Sequence, residues 1–196
     1  MPIIDEIVAA RGTCNILDIG GKPDYWFGLE SVWQGRPCHF TLLNLEEELN
    51  RTNDTRFTSL EGDGCDLSRF SNASFDLIHS NSTIEHVGGW WRQLQMADEI
   101  RRVGRCYFVQ TPNFWFPFEV HFRFPFIHWL PEPLRVAMIM HHAYGFYPQA
   151  QSLDDAHRIL EDARLLDARS MARLFPDAVI ERERIAGLTK SLIAVR

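Results

Sequence analysis

Apolar residues fall along this chain in short runs closed by glycine or proline, separated by longer stretches in which they recur at helical spacing. Residues 15–19 form such a run, ended by Gly20 and Gly21. Its lack of alternation suits a strand buried on both faces. Residues 24–34 carry Trp26, Phe27, Leu29, Val32 and Trp33 at partly helical spacing before Gly35 and Pro37, which predicts a short helix. Further strands are predicted over 39–45, 58–60, 75–80 and 106–110, with a helix over 89–103 built on Leu94, Ala97 and Ile100. Gly62 and Gly64 mark 61–66 as a loop. Beyond Thr111 the rhythm fails, and an aromatic-rich stretch at about 112–150 reads as an insertion or lid with a helix over 132–142. Residues 153–175 read as helical in two pieces. The runs 178–185 and 191–195, parted by Gly187, suit an antiparallel strand pair.

Alternation of strand and helix predicts one α/β domain over residues 1–196, doubly wound and Rossmann-like, with its ligand beyond the carboxyl ends of the strands. A chain of 196 residues with 45% hydrophobic and 23% charged content can bury one substantial core. The net charge of −6 leaves no basic surplus for nucleic-acid phosphates, so no nucleic-acid partner is expected. Cys14, Cys38, Cys65 and Cys106 lack the paired spacing of a zinc or redox motif and read as reduced thiols of a cytoplasmic protein. No run approaches the roughly 18 apolar residues of a membrane span, so no integral membrane segment is expected.

Four segments occur in order: NILDIGG, GDGCDLSRFSNASFDLIHSNSTIEHV, ADEIRRVGRCYFVQTPN and LTKSLIAV. Together they resemble a class I S-adenosylmethionine-dependent methyltransferase of the small-molecule, type 11-like kind. The second is the most specific, because an acidic turn, a short FDLI strand and an EHV tail stand at the family's spacing. The resemblance covers most of 15–113 and the closing strands. It implies a seven-stranded, mostly parallel sheet with a reversed last strand and helices on both faces. It also implies S-adenosylmethionine as cofactor and in-line methyl transfer to an oxygen or nitrogen of a small-molecule acceptor. The sulfonium methyl of that cofactor is already an electrophile, so binding residues should outnumber catalytic ones.

Residue by residue, the resemblance puts Asp18 near the methionine amine, with Gly20 and Gly21 letting the backbone pass close to the cofactor. A tight strand-to-helix turn would use the same glycines. Asn44 stands where the family has an acid for the ribose hydroxyls; Glu46, two residues on and on the same face, is the candidate replacement. The competing reading makes Glu46, Glu47 and Glu48 a solvated first helical turn. Asp66 aligns with the acid that meets the adenine amino group, with Cys65 offering a backbone N–H and Leu67 a flat apolar contact. Asp63 reads as a turn residue. Asn81 should face cofactor or acceptor, and His86 is either a base or an ordinary hydrogen-bonded histidine.

Two departures qualify the resemblance. Gly20-Gly21 continues as Lys22-Pro23-Asp24 rather than G-x-G, and proline removes an N–H donor from the loop that usually wraps the methionine part. The stretch before the first strand also leaves little of the family's helical N-terminal cap. A binding module of degenerate methyltransferase type, acting through the aromatic insertion, is therefore the alternative function. A nicotinamide-dependent enzyme is disfavoured by the missing G-x-G-x-x-G. In the insertion, Glu119 and His121 are the candidate base, while Glu119, His121, His128, His141 and His142 match no metal spacing, so a metal-free site is expected. Its aromatics would mostly pack the insertion onto the domain. An exposed subset would line an apolar or sugar-stacking acceptor pocket, touch a membrane surface or meet a second subunit as a homodimer.

Overall fold

The computed structural model describes residues 2–46, 49 and 52–196. Seven strands make one sheet: β1 (Cys14–Ile19), β2 (Cys38–Asn44), β3 (Phe57–Glu61), β4 (Phe75–Asn81), β5 (Gly104–Pro112), β8 (Val179–Ile185) and β9 (Leu188–Val195). Their order is β3-β2-β1-β4-β5-β9-β8. The first five run parallel, and β9 enters antiparallel between β5 and β8. This is the seven-stranded sheet with a reversed last strand that the resemblance implied. A two-stranded ribbon, β6 (Phe118–Glu119) with β7 (Phe124–Pro125), lies in the insertion.

The burial pattern of β1, exposed only at Asn15, explains the continuous apolar run. Leu17 and Ile19 point to one face, where they join Met96, Ala97, Ile100 and Val103 of α4 (Trp90–Val103) and Met171 and Leu174 of α7 (Ala168–Leu174). Cys14 and Ile16 point to the other, against Ile4 and Ile7 of α1 (Pro2–Arg11), Trp26 of α2 (Pro23–Phe27) and Trp33 of α3 (Glu30–Trp33). Helices thus cover both faces. The helix expected over 24–34 is broken in two, because Gly28 closes the first piece and Leu29 leaves helical geometry. A helix before β1 was absent from the expectation. Pro2–Arg11 nonetheless buries Ile4 and Ile7 on the sheet.

The insertion and α6 (Leu153–Asp162) enclose a third apolar cluster. It consists of Phe122, Ile127, Ile139, Ala150, Ala156 and Ile159, with α5 (Glu132–His141) packed on α6. Of its aromatics, Phe122, Tyr144 and Tyr147 join this cluster, whereas Trp115, Phe118, Phe124, Phe126, Trp129 and Phe146 keep 38–64% exposure, so the expectation that most would pack the insertion onto the domain does not hold. Among the described residues no helix is long and apolar enough to cross a membrane.

Side-chain caps start both late helices: Ser152 Oγ accepts from Asp155 N–H at 3.1 Å and Asp167 Oδ1 from Ser170 N–H at 2.8 Å. Replacing Asp167 with Ala is expected to lower the unfolding free energy by about 1 kcal/mol. A urea midpoint equal to that of the parent would show that the cap contributes nothing.

Candidate active-site cleft

In a parallel sheet whose strand order reverses between β1 and β4, the neighbouring crossovers leave to opposite faces and open a crevice at the carboxyl ends. A cleft of about 650 Å³ lies there. Its walls come from Gly20 and Lys22 after β1, Leu43 and Asn44 of β2, Gly62, Asp63 and Gly64 after β3, and Thr83 and His86 after β4.

Asn44 is buried and donates from Nδ2 to the Gly21 carbonyl at 2.8 Å, while its Oδ1 has no partner among the described residues. A buried amide oxygen costs desolvation unless something donates to it, and this one belongs to a residue of the cleft wall. Gly20 needs its glycine for two reasons: φ is +77°, and a Cβ would strike Thr83. Asp63 accepts from the Cys65 N–H at 2.8 Å and from Arg92 at 2.6 Å. Burial works against it, but those donors prevail and hold its carboxyl below the usual range.

Several residues that the resemblance nominated lie elsewhere. Asp18 is buried, and its oxygens receive the Trp26 indole N–H and meet His79 Nδ1, each at 2.7 Å. The carboxylate is turned into the protein, under Gly21, whose Cβ would collide with it. Asp66 is exposed and bonds the Ser68 N–H at 3.1 Å, whereas Asp63, read from sequence as a turn residue, lines the cleft. Cys65 and Leu67 are buried against the α4 side of the sheet. The backbone N–H of Leu67 goes to Glu99 at 2.8 Å. Glu46 is exposed and is not among the lining residues. The expectation for Glu47 and Glu48 lies outside the described residues. Asn81 ends β4 half-buried, its carbonyl facing Thr83 Oγ1 at 3.4 Å.

Residues from distant parts of the sequence converge at the wall next to β4. His86 ends a 3₁₀ turn (Ile84–His86), and its Nε2 stands 3.1 Å from His121 Nε2. His121 Nδ1 stands 2.6 Å from Glu119 Oε1, and the other oxygen of Glu119 accepts from the Phe122 N–H. His128 instead pairs with the Phe114 carbonyl at 2.8 Å, and His141 bonds within its own helix. Burial depresses His121, but Glu119 outweighs it and raises the imidazole above its ordinary value. Beneath them lies Glu85, fully buried. Burial drives its carboxyl up against the opposing pull of its own N–H, His86 and Thr111. Sequence reasoning gave Glu85 no role. Its only signal was position, the residue before His86 at the end of a parallel strand.

The Lys22-Pro23 departure has a local explanation. Pro23 opens α2 at the first helical position, where the missing N–H would have had no intrahelical partner.

Residues 31–106 match the methyltransferase domain family model. No curated protein matches the chain. Among solved structures, the N-terminal domain of EvdMO1, crystallised in the presence of SAH and D-fucose, is 18% identical with a TM-score of 0.55, covering 98% of this chain and 81% of that one. PigF with SAH is 16% identical with a TM-score of 0.54, over 100% of this chain and 61% of that one, so the chain spans less than two thirds of PigF. A SAM-dependent methyltransferase from Methanosarcina mazei is 13% identical with a TM-score of 0.54, over 100% and 97%. At such identities the likeness establishes the fold.

Proposed function

We propose that this chain is a class I S-adenosylmethionine-dependent methyltransferase that carries the methyl group to an oxygen or nitrogen of a small-molecule acceptor. It would act in the cytoplasm, as one domain whose lid is the aromatic insertion. The observation that carries the reading is the cleft at the β1/β4 reversal: an orphaned acceptor, Asn44 Oδ1, lies on one side and His86 on the other. The donor set fits the cofactor. A ribose hydroxyl would satisfy Asn44 Oδ1, the Asp63 carboxylate would accept from the adenine amino group, and the exposed Lys22 ammonium would face the methionine carboxylate. When bound, the cofactor supplies an electrophilic methyl and a neutral thioether leaving group.

The remaining work falls to the chain. Backbone at Gly20 and Gly64 holds the cleft narrow, and the histidine wall faces the side from which an acceptor would approach. The acceptor must shed a proton as it is methylated, and the Glu85–His86–His121–Glu119 wall is where we place that event. A small hydroxylated acceptor is in keeping with the neighbour crystallised with D-fucose. The exposed Trp115, Phe126 and Trp129 would offer a second subunit its contact surface.

Calorimetry with S-adenosylhomocysteine tests the reading. Asn44→Leu and Asp63→Ala are each expected to weaken binding roughly tenfold, the equivalent of about one charge-assisted hydrogen bond. Asp66→Ala should leave it unchanged. Loss of binding on Asp66→Ala with retention on Asp63→Ala would reverse the assignment, and absence of binding by the parent would remove the function.

A further inference from the structure

The two histidines of the cleft wall meet tip to tip in a way that their outer partners make electrostatically awkward. His86 Nδ1 lies 3.0 Å from the Asp162 carbonyl oxygen, which can only accept, so Nδ1 carries the proton. His121 Nδ1 lies 2.6 Å from the Glu119 carboxylate, which fixes the same tautomer. In the neutral rings both Nε2 atoms are then bare lone pairs, yet they face each other at 3.1 Å. Something positive must lie between them.

A shared proton would satisfy the two nitrogens and nothing else. The third member of the cluster decides against it. Glu85 is fully buried, and its Oε2 accepts from Thr111 Oγ1 at 2.9 Å, but its Oε1 has no partner among the described residues. One ligand atom from each of Glu85, His86 and His121 lies within 4.8 Å of the others. A divalent cation satisfies all three at once. Around a metal bonded at about 2.0–2.2 Å, tetrahedral ligand atoms stand roughly 3.3 Å apart. The two nitrogens already have nearly that spacing, and a Glu85 carboxylate oxygen lies within 4.8 Å of them.

We propose that Glu85, His86 and His121 bind one divalent transition-metal cation of the zinc type, with Glu119 and the Asp162 carbonyl orienting the two imidazoles. Two imidazoles and one carboxylate, with the remaining position open, are the ligand set of a catalytic rather than a structural zinc. The open position faces the cleft, because His86 lines it. This deepens the proposed function and rests on it. An acceptor hydroxyl bound there loses its O–H proton to water as the cation stabilises the oxyanion. The oxygen pair then forms the new C–O bond, while the S–CH₃ electron pair stays on sulfur as the thioether forms. The sequence hides the site because His121 arrives from the insertion, far from Glu85-His86, at a spacing that matches no linear motif.

The test strips the full chain with a chelator and titrates Zn²⁺ and Co²⁺ alone, read by calorimetry and by the visible absorption of Co²⁺. S-adenosylhomocysteine binding is measured separately on the same samples. One equivalent should bind, and Glu85→Gln and His121→Ala should each weaken it by more than the roughly 10- to 100-fold carried by outer partners. His86 is exposed, so His86→Ala supplies a variant whose fold survives, verified by its melting temperature. Absence of saturable uptake, or an affinity unchanged by His86→Ala, overturns the metal site. Cofactor binding without metal uptake overturns the cation alone, whereas metal uptake without cofactor binding overturns the methyltransferase reading alone.

Discussion

Asp18→Ala is expected to lower the folding stability by about 3–5 kcal/mol, the range for removing one member of a buried pair. Two buried groups depend on this carboxylate: the Trp26 indole N–H and the His79 imidazole, each at 2.7 Å. Both would be left without their partner in a layer already filled by Phe40, Trp33 and Phe57. Water has no route to replace the oxygens, since Trp26 and His79 are themselves buried. Asp18→Asn keeps the shape and one acceptor and should lose less. Chemical denaturation reads the difference. A variant of parent stability that no longer binds S-adenosylhomocysteine would make Asp18 a cofactor ligand instead.

The second large effect is expected at a position that touches neither cofactor nor acceptor. Gly145 has φ of +56° and lies directly on the chain carrying His121: a Cβ there would collide with the His121 carbonyl and come within 2.5 Å of the Phe122 carbonyl carbon. These are backbone atoms and cannot rotate away. The neighbouring Phe146 N–H also bonds the His121 carbonyl at 2.9 Å. Gly145→Ala must therefore push the His121 segment outward, at a cost of about 1–3 kcal/mol in backbone strain. A displacement of about 1 Å at a reacting geometry can cost about 100-fold in rate. Turnover should fall by that order while S-adenosylhomocysteine binding stays near the parent value, because Asn44 and Asp63 are held by Gly21, Cys65 and Arg92 and not by the insertion. Parent-like turnover would show that the placement of His121 is irrelevant to the chemistry.

What the sequence revealed of this molecule was governed by distance along the chain. Strands announced themselves because β1, β2 and β4 are buried on both faces, which makes them apolar runs bounded by turn residues; each was placed to within a residue or two. The helix of residues 24–34 was over-extended because its apolar spacing continues through Gly28 and Leu29, where the backbone does not. Site residues were harder. Asp63 and Asp66 share one acidic turn, and only the three-dimensional turn decides which faces the cleft: the Asp66 N–H closes back on the Asp63 carbonyl at 2.9 Å and turns Asp66 to solvent. The partners of Asp18 come from α2 and β4, and no local pattern relates them. Glu119 and His121 were nominated together from sequence, and His86 apart from them. Their meeting depends on how the insertion folds back, of which the sequence predicted only the helix over 132–142.

That insertion is pinned at its base by the sheet. Pro112, the last residue of β5, lies opposite Ser191 of β9, and the aromatic segment with α6, α7 and β8 leaves and returns between these paired positions. Lengthening a loop whose ends are already held together adds only about 0.6 kcal/mol per doubling. Extra residues within the aromatic segment therefore need not disturb the pairing of β5 with β9. Such an arrangement allows the aromatic segment to be lengthened or rebuilt by evolution, or by a protein engineer, between the end of β5 and the start of α6, with the strand registers of the sheet passed on intact.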